Sequence, residues 1–389
     1  VALVLLLRAV QHLAFGAPGH PTFLDEVAAS SHSRRVYALA ACGMVASFGW
    51  WALARWAPPL VAVEDAVGPA SRRLPLVASS ADALLQIVTA GLGSPLGREA
   101  APRALAAAVT DTLAVRAGLS AEQTRILVAC SAGAGLAAVY GVPLAGTLFT
   151  LEVLLASFAW PALVQAVATS GLAALVARLC LGDEAQYRLP NFSVGVSLYL
   201  FALVSGPVFG LLAYEFARAA RYARAYAQRS PRISIWCIPT FLVIGALAIP
   251  FPQLLGNGQG PAQLGFDGQV GLALATVLLL LRFLAPIATL GAGAAGGLLT
   301  PSMAIGALLA VLLGAGWNHV WPGSPSGAYA VVGAAAFLAV SARMPLTAIA
   351  LTIELTHVGH HVYVPILLGV VSASLSLLIR KRMTPRLQG

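Results

Sequence analysis

From Val1 to Ile379 the sequence is an almost continuous series of apolar segments, and that pattern limits the fold more than any other feature. The segments run at roughly 1–16, 36–56, 76–93, 100–115, 124–139, 143–158, 161–181, 196–217, 234–250, 270–290, 301–315, 327–341, 345–356 and 363–379. A helix needs about 20 apolar residues to cross the hydrocarbon of a bilayer, and several of these segments are shorter. Backbone that stops short of a full crossing is tolerated only where it is buried in protein or lines a cavity. Channels and secondary transporters are built that way, with binding sites at the broken helices. The expectation is an all-α integral membrane protein of short, broken helices.

Composition closes the soluble alternative. Only 10% of the residues are charged and 59% are hydrophobic, against about 25% charged in an average soluble domain. Too few charges remain to coat a water-facing surface. The net charge of +9 could suggest a nucleic-acid ligand, but the arginines cluster at the ends of apolar segments. Arg218, Arg221, Arg224, Arg229 and Arg232 are read as one linker, and Arg380, Lys381, Arg382 and Arg386 close the chain. That placement fits cytoplasmic loops under the positive-inside rule, so no nucleic-acid partner is expected. Cys42, Cys130, Cys180 and Cys237 are scattered through apolar stretches with no Cys-x-x-Cys pair, which reads as packing. His357, His360 and His361 have a spacing that suits a metal on a helix, but they lie between two apolar runs without an acidic partner. They are read as a surface loop, and neither a metal nor a cofactor is expected. No serine elbow or phosphate-cradling loop is present, so an enzyme is not expected. The chain begins at Val1 inside an apolar run, without the charged leader of a signal peptide, and an earlier helix is allowed for.

An internal repeat gives the domain reading. The stretch Val142-Pro-Leu-Ala-Gly-Thr-Leu-Phe-Thr-Leu-Glu152 resembles Met344-Pro-Leu-Thr-Ala-Ile-Ala-Leu-Thr-Ile-Glu354, with prolines and glutamates both 202 residues apart. Leu136-Ala137 and Leu338-Ala339 keep that offset, and Gly97–Pro102 pairs with Gly296–Pro301 at 199. Several anchors at nearly one offset point to two related halves, 1–190 and 191–389, in one transmembrane domain with no cytosolic regulatory domain. Each half carries a Gly-x-x-x-x-Pro element leading into an apolar helix. Glycine permits close approach of the backbone, proline suits a first helical turn, and the free N–H groups with the helix dipole make an anion site.

These elements carry a family resemblance. Gly97-Arg98-Glu99-Ala100-Ala101-Pro102 resembles the Gly-Arg/Lys-Glu-Gly-Pro signature of the CLC chloride channel and transporter family. Gly297-Leu298-Leu299-Thr300-Pro301 resembles its Gly-x-Phe-x-Pro signature, and Pro143-Leu-Ala-Gly146 its following segment. The resemblance implies two inverted-topology halves and a homodimer in a bacterial-style inner membrane, moving chloride or a related small anion. It implies that Glu99 is the gating glutamate, with protons carried in coupled members. The anion would lie against Gly97, Arg98, Ala100, Ala101, Gly297, Leu298 and Leu299. A second reading keeps Glu99 as a helix-end partner of Arg98 or Arg103. Small residues at Ser170-Gly171 and Ser372-Ala373-Ser374 are expected at the dimer face.

The departures from the family pattern bear on mechanism. Where the family carries a serine-containing anion loop, this chain reads Ala57-Pro-Pro-Leu-Val-Ala-Val-Glu64. The family phenylalanine is Leu299, and the helix with the pathway tyrosine is not found before Gly389. Of the family's paired glutamates, Glu152 is present and the proton-handling position is Val153. Glu152 is a candidate proton carrier one position away, or a packing residue like Glu354. Passive conduction, proton-coupled exchange of a halide including fluoride, and a degenerate non-transporting membrane protein all stay open.

Overall fold

The computed structural model describes residues 1–16, 22–69, 72–182, 185–192, 194–227 and 235–383, with side chains as far as 379. Among the described residues there are seventeen α-helices. The first seven are α1 (Ala2–Phe15), α2 (Phe23–Ala29), α3 (His32–Trp56), α4 (Val63–Ala66), α5 (Leu76–Gly91), α6 (Ala100–Arg116) and α7 (Ala121–Tyr140). The chain continues through α8 (Pro143–Phe149), α9 (Trp160–Leu181), α10 (Val196–Ala227), α11 (Cys237–Leu247) and α12 (Gln259–Phe266). It ends with α13 (Leu272–Gly291), α14 (Leu299–Val320), α15 (Ser326–Ser341), α16 (Pro345–Thr356) and α17 (Tyr363–Met383).

Helices α3, α9, α10, α13 and α14 are long and apolar enough to cross a membrane, as is the segment His360–Ile379 that contains most of α17. Six other apolar helices are shorter. One of them, α15, is buried along its whole length from Gly327 to Val340, so the missing length is covered by protein and not by lipid.

Local sequence sets the helix ends. Ser120 and Gln123 form a reciprocal capping box at the start of α7, and Gly141 ends it in the left-handed region at φ 70°. Pro143 and Pro345 open α8 and α16, where a missing N–H costs nothing. Buried Arg35 donates to the carbonyls of Val27, Ala28, Ser30, Ala248 and Ile249, tying α2, α3 and the end of α11 together. Buried Asp82 on α5 accepts from Trp50 Nε1 at 2.8 Å and Gln86 Nε2 at 2.7 Å, so this intramembrane carboxylate is hydrogen-bonded.

The backbone divides into two compact units. One comprises 1–184, 222–257 and 285–297; the other comprises 185–221, 258–284 and 298–389. Within the first, α7 packs against α6 and α9, and α3 against α11. Within the second, α14 packs on α15 and α15 on α17. Matching turns recur about 200 residues apart: Gly93 and Gly293 at φ 101° and 102°, Gly141 and Arg343 at 70° and 55°, Ala156 and His357 both at 47°.

Several expectations need correction. Arg218, Arg221 and Arg224 are not in a linker but on α10, which stays helical to Ala227; Arg229 and Arg232 lie outside the described residues. So do Arg386 and the side chains of Arg380, Lys381 and Arg382. The apolar segment at 143–158 is α-helical to Phe149 and then changes into a π-helical stretch, Thr150–Leu155. The small residues expected at a dimer face are partly used within the chain. Ser372 donates to Leu203 O at 2.7 Å, and Ser372 and Ala373 fit against Gly206 of α10. Ser170 is buried against Gly146. Small residues let helices approach wherever they meet, and the neighbour here is in the same chain.

Candidate functional site

In the first unit, α5 ends at Gly91 and α13 at Gly291, and each chain then turns through a glycine with φ near 100°. The two segments that follow pair with each other. Gly97 N donates to Gly297 O and Gly297 N to Gly97 O, both at 2.8 Å, in a short antiparallel bridge. The two glycine elements, 200 residues apart in sequence, are thus joined main chain to main chain. From Gly297 the chain passes through Leu298 and Leu299 into α14, and from Gly97 through Arg98 and Glu99 into α6.

Glu99 stands just before the first turn of α6, where its side chain makes no cap hydrogen bond, and is fully buried, at 0% exposure. Its carboxyl group folds back over the bridge: a methyl on Gly97 or on Gly297 would run into it. Neither glycine has a positive φ, so both are required for room. Tyr140, the last residue of α7, donates its hydroxyl to Glu99 Oε2 at 3.0 Å. Close packing brings that hydroxyl within reach. At Gly135, α7 lies directly against the main chain of Pro102 and Arg103, with no space for a side chain.

The surrounding charge is mostly positive. The Arg98 guanidinium lies 5.3 Å from the centre of the Tyr140 ring, and that of Arg103 lies 4.8 Å from the Phe149 ring, both within cation–π range. Arg103 Nε donates to the main-chain oxygen of Glu99 at 3.2 Å. Arg224 from α10 donates to Gly296 O at 3.0 Å and lies within electrostatic reach of Glu99, Glu64 and Arg103. The first turn of α6, with Ala100 half-buried and Ala101 buried, has no side-chain cap. Its leading amides have no preceding carbonyls to bond, and the helix dipole adds positive potential there. The site therefore offers a phenolic donor to one buried negative group, with guanidinium charge and an uncapped helix start nearby.

Of the residues singled out from sequence, the structure brings Gly97, Arg98, Glu99, Ala100, Ala101 and Gly297 together. Leu298 and Leu299 follow directly but begin the second unit. Glu152 is on the π-helical stretch and half-buried, whereas Glu354 sits on the regular helix α16. The two glutamates therefore have different backbone settings despite the repeat, and single π turns recur at functional sites. His357, His360 and His361 are exposed in the connection between α16 and α17. Tyr140 and Arg224 were not found by sequence reasoning. Tyr140 stands just before the Gly141-Val142-Pro143 turn, and its place there was the one available signal. Arg224 gave none beyond its charge.

A family model described as voltage gated chloride channel matches residues 30–377. A putative chloride channel protein, ClcB-like, from Ralstonia nicotianae is 31% identical over 329 residues, covering 80% of this chain and 73% of its own. The H(+)/Cl(−) exchange transporter ClcA of Vibrio vulnificus is 29% identical over 294 residues, covering 73% of this chain; this chain spans 63% of that relative. Among solved structures, a slow cyanobacterial Cl−/H+ antiporter superposes with a TM-score of 0.81 at 22% identity, over 100% of this chain and 95% of its own. A CLC-type fluoride/proton antiporter superposes at 0.71 with 20% identity, over 96% of this chain and 95% of its own. At these identities the structural matches establish a shared fold.

Proposed function

The chain belongs to the voltage-gated chloride channel family, all-helical multi-pass membrane proteins of anion transport, and on that premise we propose that it moves chloride or a related small anion under the control of Glu99. The supporting observation is the buried Glu99 carboxyl group over the Gly97–Gly297 bridge at the open end of α6. A carboxylate held by donors in that position competes with any anion entering it. Protonation removes the competing charge, so acid favours anion access. The anion pathway is assigned to Gly97, Arg98, Ala100, Ala101, Gly297, Leu298 and Leu299. The recurrent turns 200 to 202 residues apart support two inverted repeats, 1–190 and 191–389. A homodimer in a bacterial-type inner membrane completes the proposal.

Proton-coupled exchange, of chloride or of fluoride, is the second reading. The retained Glu99 and the π-helical setting of Glu152 favour it. Purified protein in chloride-loaded liposomes, with anion efflux and pH recorded together, tests both readings. Efflux accompanied by proton uptake makes the protein an exchanger, and efflux without it makes the protein a passive conductor. Absence of flux for chloride, bromide and fluoride alike would reject transport and leave a non-transporting relative.

A further inference from the structure

We propose that the Tyr140 hydroxyl, which donates to Glu99 Oε2, is a side-chain donor that holds the transported anion once the Glu99 carboxylate has left it. The inference rests on Glu99 being the gate and adds the ligand that gate and anion share.

A small anion in a buried site must replace its lost hydration with donors. Tyr140 Oη meets this need: it is a neutral donor at working pH and already points at a negative oxygen, Glu99 Oε2, 3.0 Å away. The carboxylate oxygen and a halide are both acceptors, and one O–H can serve only one of them well at a time. Anion and carboxylate therefore exclude each other through this hydrogen bond as well as through charge and volume.

The surroundings fit a donor more than a simple brace. Arg98 lies over the Tyr140 ring at 5.3 Å; a cation on the ring face draws electron density from the phenol and strengthens its O–H as a donor. The hydroxyl and the glycine bridge meet at the volume that the carboxyl group fills, beside the uncapped start of α6. The main chain at Tyr140 is set by the left-handed Gly141 and by the Val142 N to Ala137 O hydrogen bond of 3.1 Å. The donor is thus presented from a fixed helix end.

The deciding experiment separates an anion ligand from a latch on Glu99. Chloride and bromide binding is measured by titration calorimetry on purified Glu99→Ala protein and on Glu99→Ala/Tyr140→Phe protein, at one pH. With the carboxylate gone, a latch has nothing left to hold. We expect Glu99→Ala to bind chloride and the double variant to bind it about ten- to a hundredfold more weakly, the range for a hydrogen bond to a charged partner. Equal affinity in the two proteins overturns the inference, and so does absence of binding in Glu99→Ala. If the double variant does not fold, Tyr140→Phe alone is read by the chloride concentration that half-saturates efflux. A rise of about tenfold or more supports the inference, and an unchanged or lower value overturns it. The gate itself fails by a different sign, an unaltered pH dependence of flux in Glu99→Ala.

Discussion

Replacing Glu99 with glutamine removes one charge and almost no volume, and the structure allows the effect to be sized. The carboxylate accepts a hydrogen bond from Tyr140 at 3.0 Å and is fully buried, so the interaction is not weakened by water. A hydrogen bond to a charged group contributes about 1.5–3 kcal/mol and a neutral one about 0.5–1.5, so glutamine gives up about 1 kcal/mol there. A negative group at a partly buried helix N-terminus gains up to about 2 kcal/mol from the dipole, and at α6 about half of that is a fair share. Together the competing group loses about 2 kcal/mol, roughly a thirtyfold shift in favour of the anion. In wild-type liposomes chloride efflux should rise as pH falls, because protonation discharges the competitor. In Glu99→Gln it should be high at every pH and show no pH dependence, with any linked proton movement gone. The assay is efflux at several pH values, normalised to folded protein. If Glu99 instead only paired with an arginine, glutamine would leave a buried cation without its counter-charge. That costs about 3–5 kcal/mol and would appear as lost folding yield. Well-folded Glu99→Gln protein with the wild-type pH dependence would refute the gate.

Gly297→Ala places a methyl in the volume of the Glu99 carboxyl group without touching the bridge's main-chain bonds; added to Glu99→Ala it should cut chloride efflux at least about tenfold, where an unaffected rate would place the anion elsewhere. Glu152→Gln should leave anion flux intact and abolish proton movement if Glu152 relays protons, and proton movement equal to wild type would return Glu152 to a packing role. Leu172, Leu175 and Leu179 of α9 are exposed, as are Val371, Leu375 and Leu378 of α17; if a second copy covers either face the protein sediments as a dimer in lipid nanodiscs, and a monomer at all protein concentrations leaves both to lipid.

The hydropathy pattern was enough to read an all-helical membrane protein in which some helices are too short to cross alone. Burial in lipid is a property of each segment, and so it can be read in a local window. The glycine-proline elements were legible for the same reason, since a helix start is specified by a few neighbouring residues, whereas Glu99 was singled out by the family resemblance of the segment that holds it. The change to a π-helix at Thr150 was not, because Pro143–Leu155 is uniformly apolar apart from Glu152 and its threonines, and would suit a regular helix equally well. Arg224 had no local mark of its partner Gly296, 72 residues away, and was read as part of a loop. The small residues of α17 signalled close approach but not its partner, which is α10 of the same chain. Tertiary structure alone decided that Gly97 would meet Gly297 and that Tyr140 would reach Glu99 from 41 residues away. Pairings of that kind depend on how whole helices pack, and a Tyr hydroxyl or a glycine amide is chemically the same residue wherever the packing sends it.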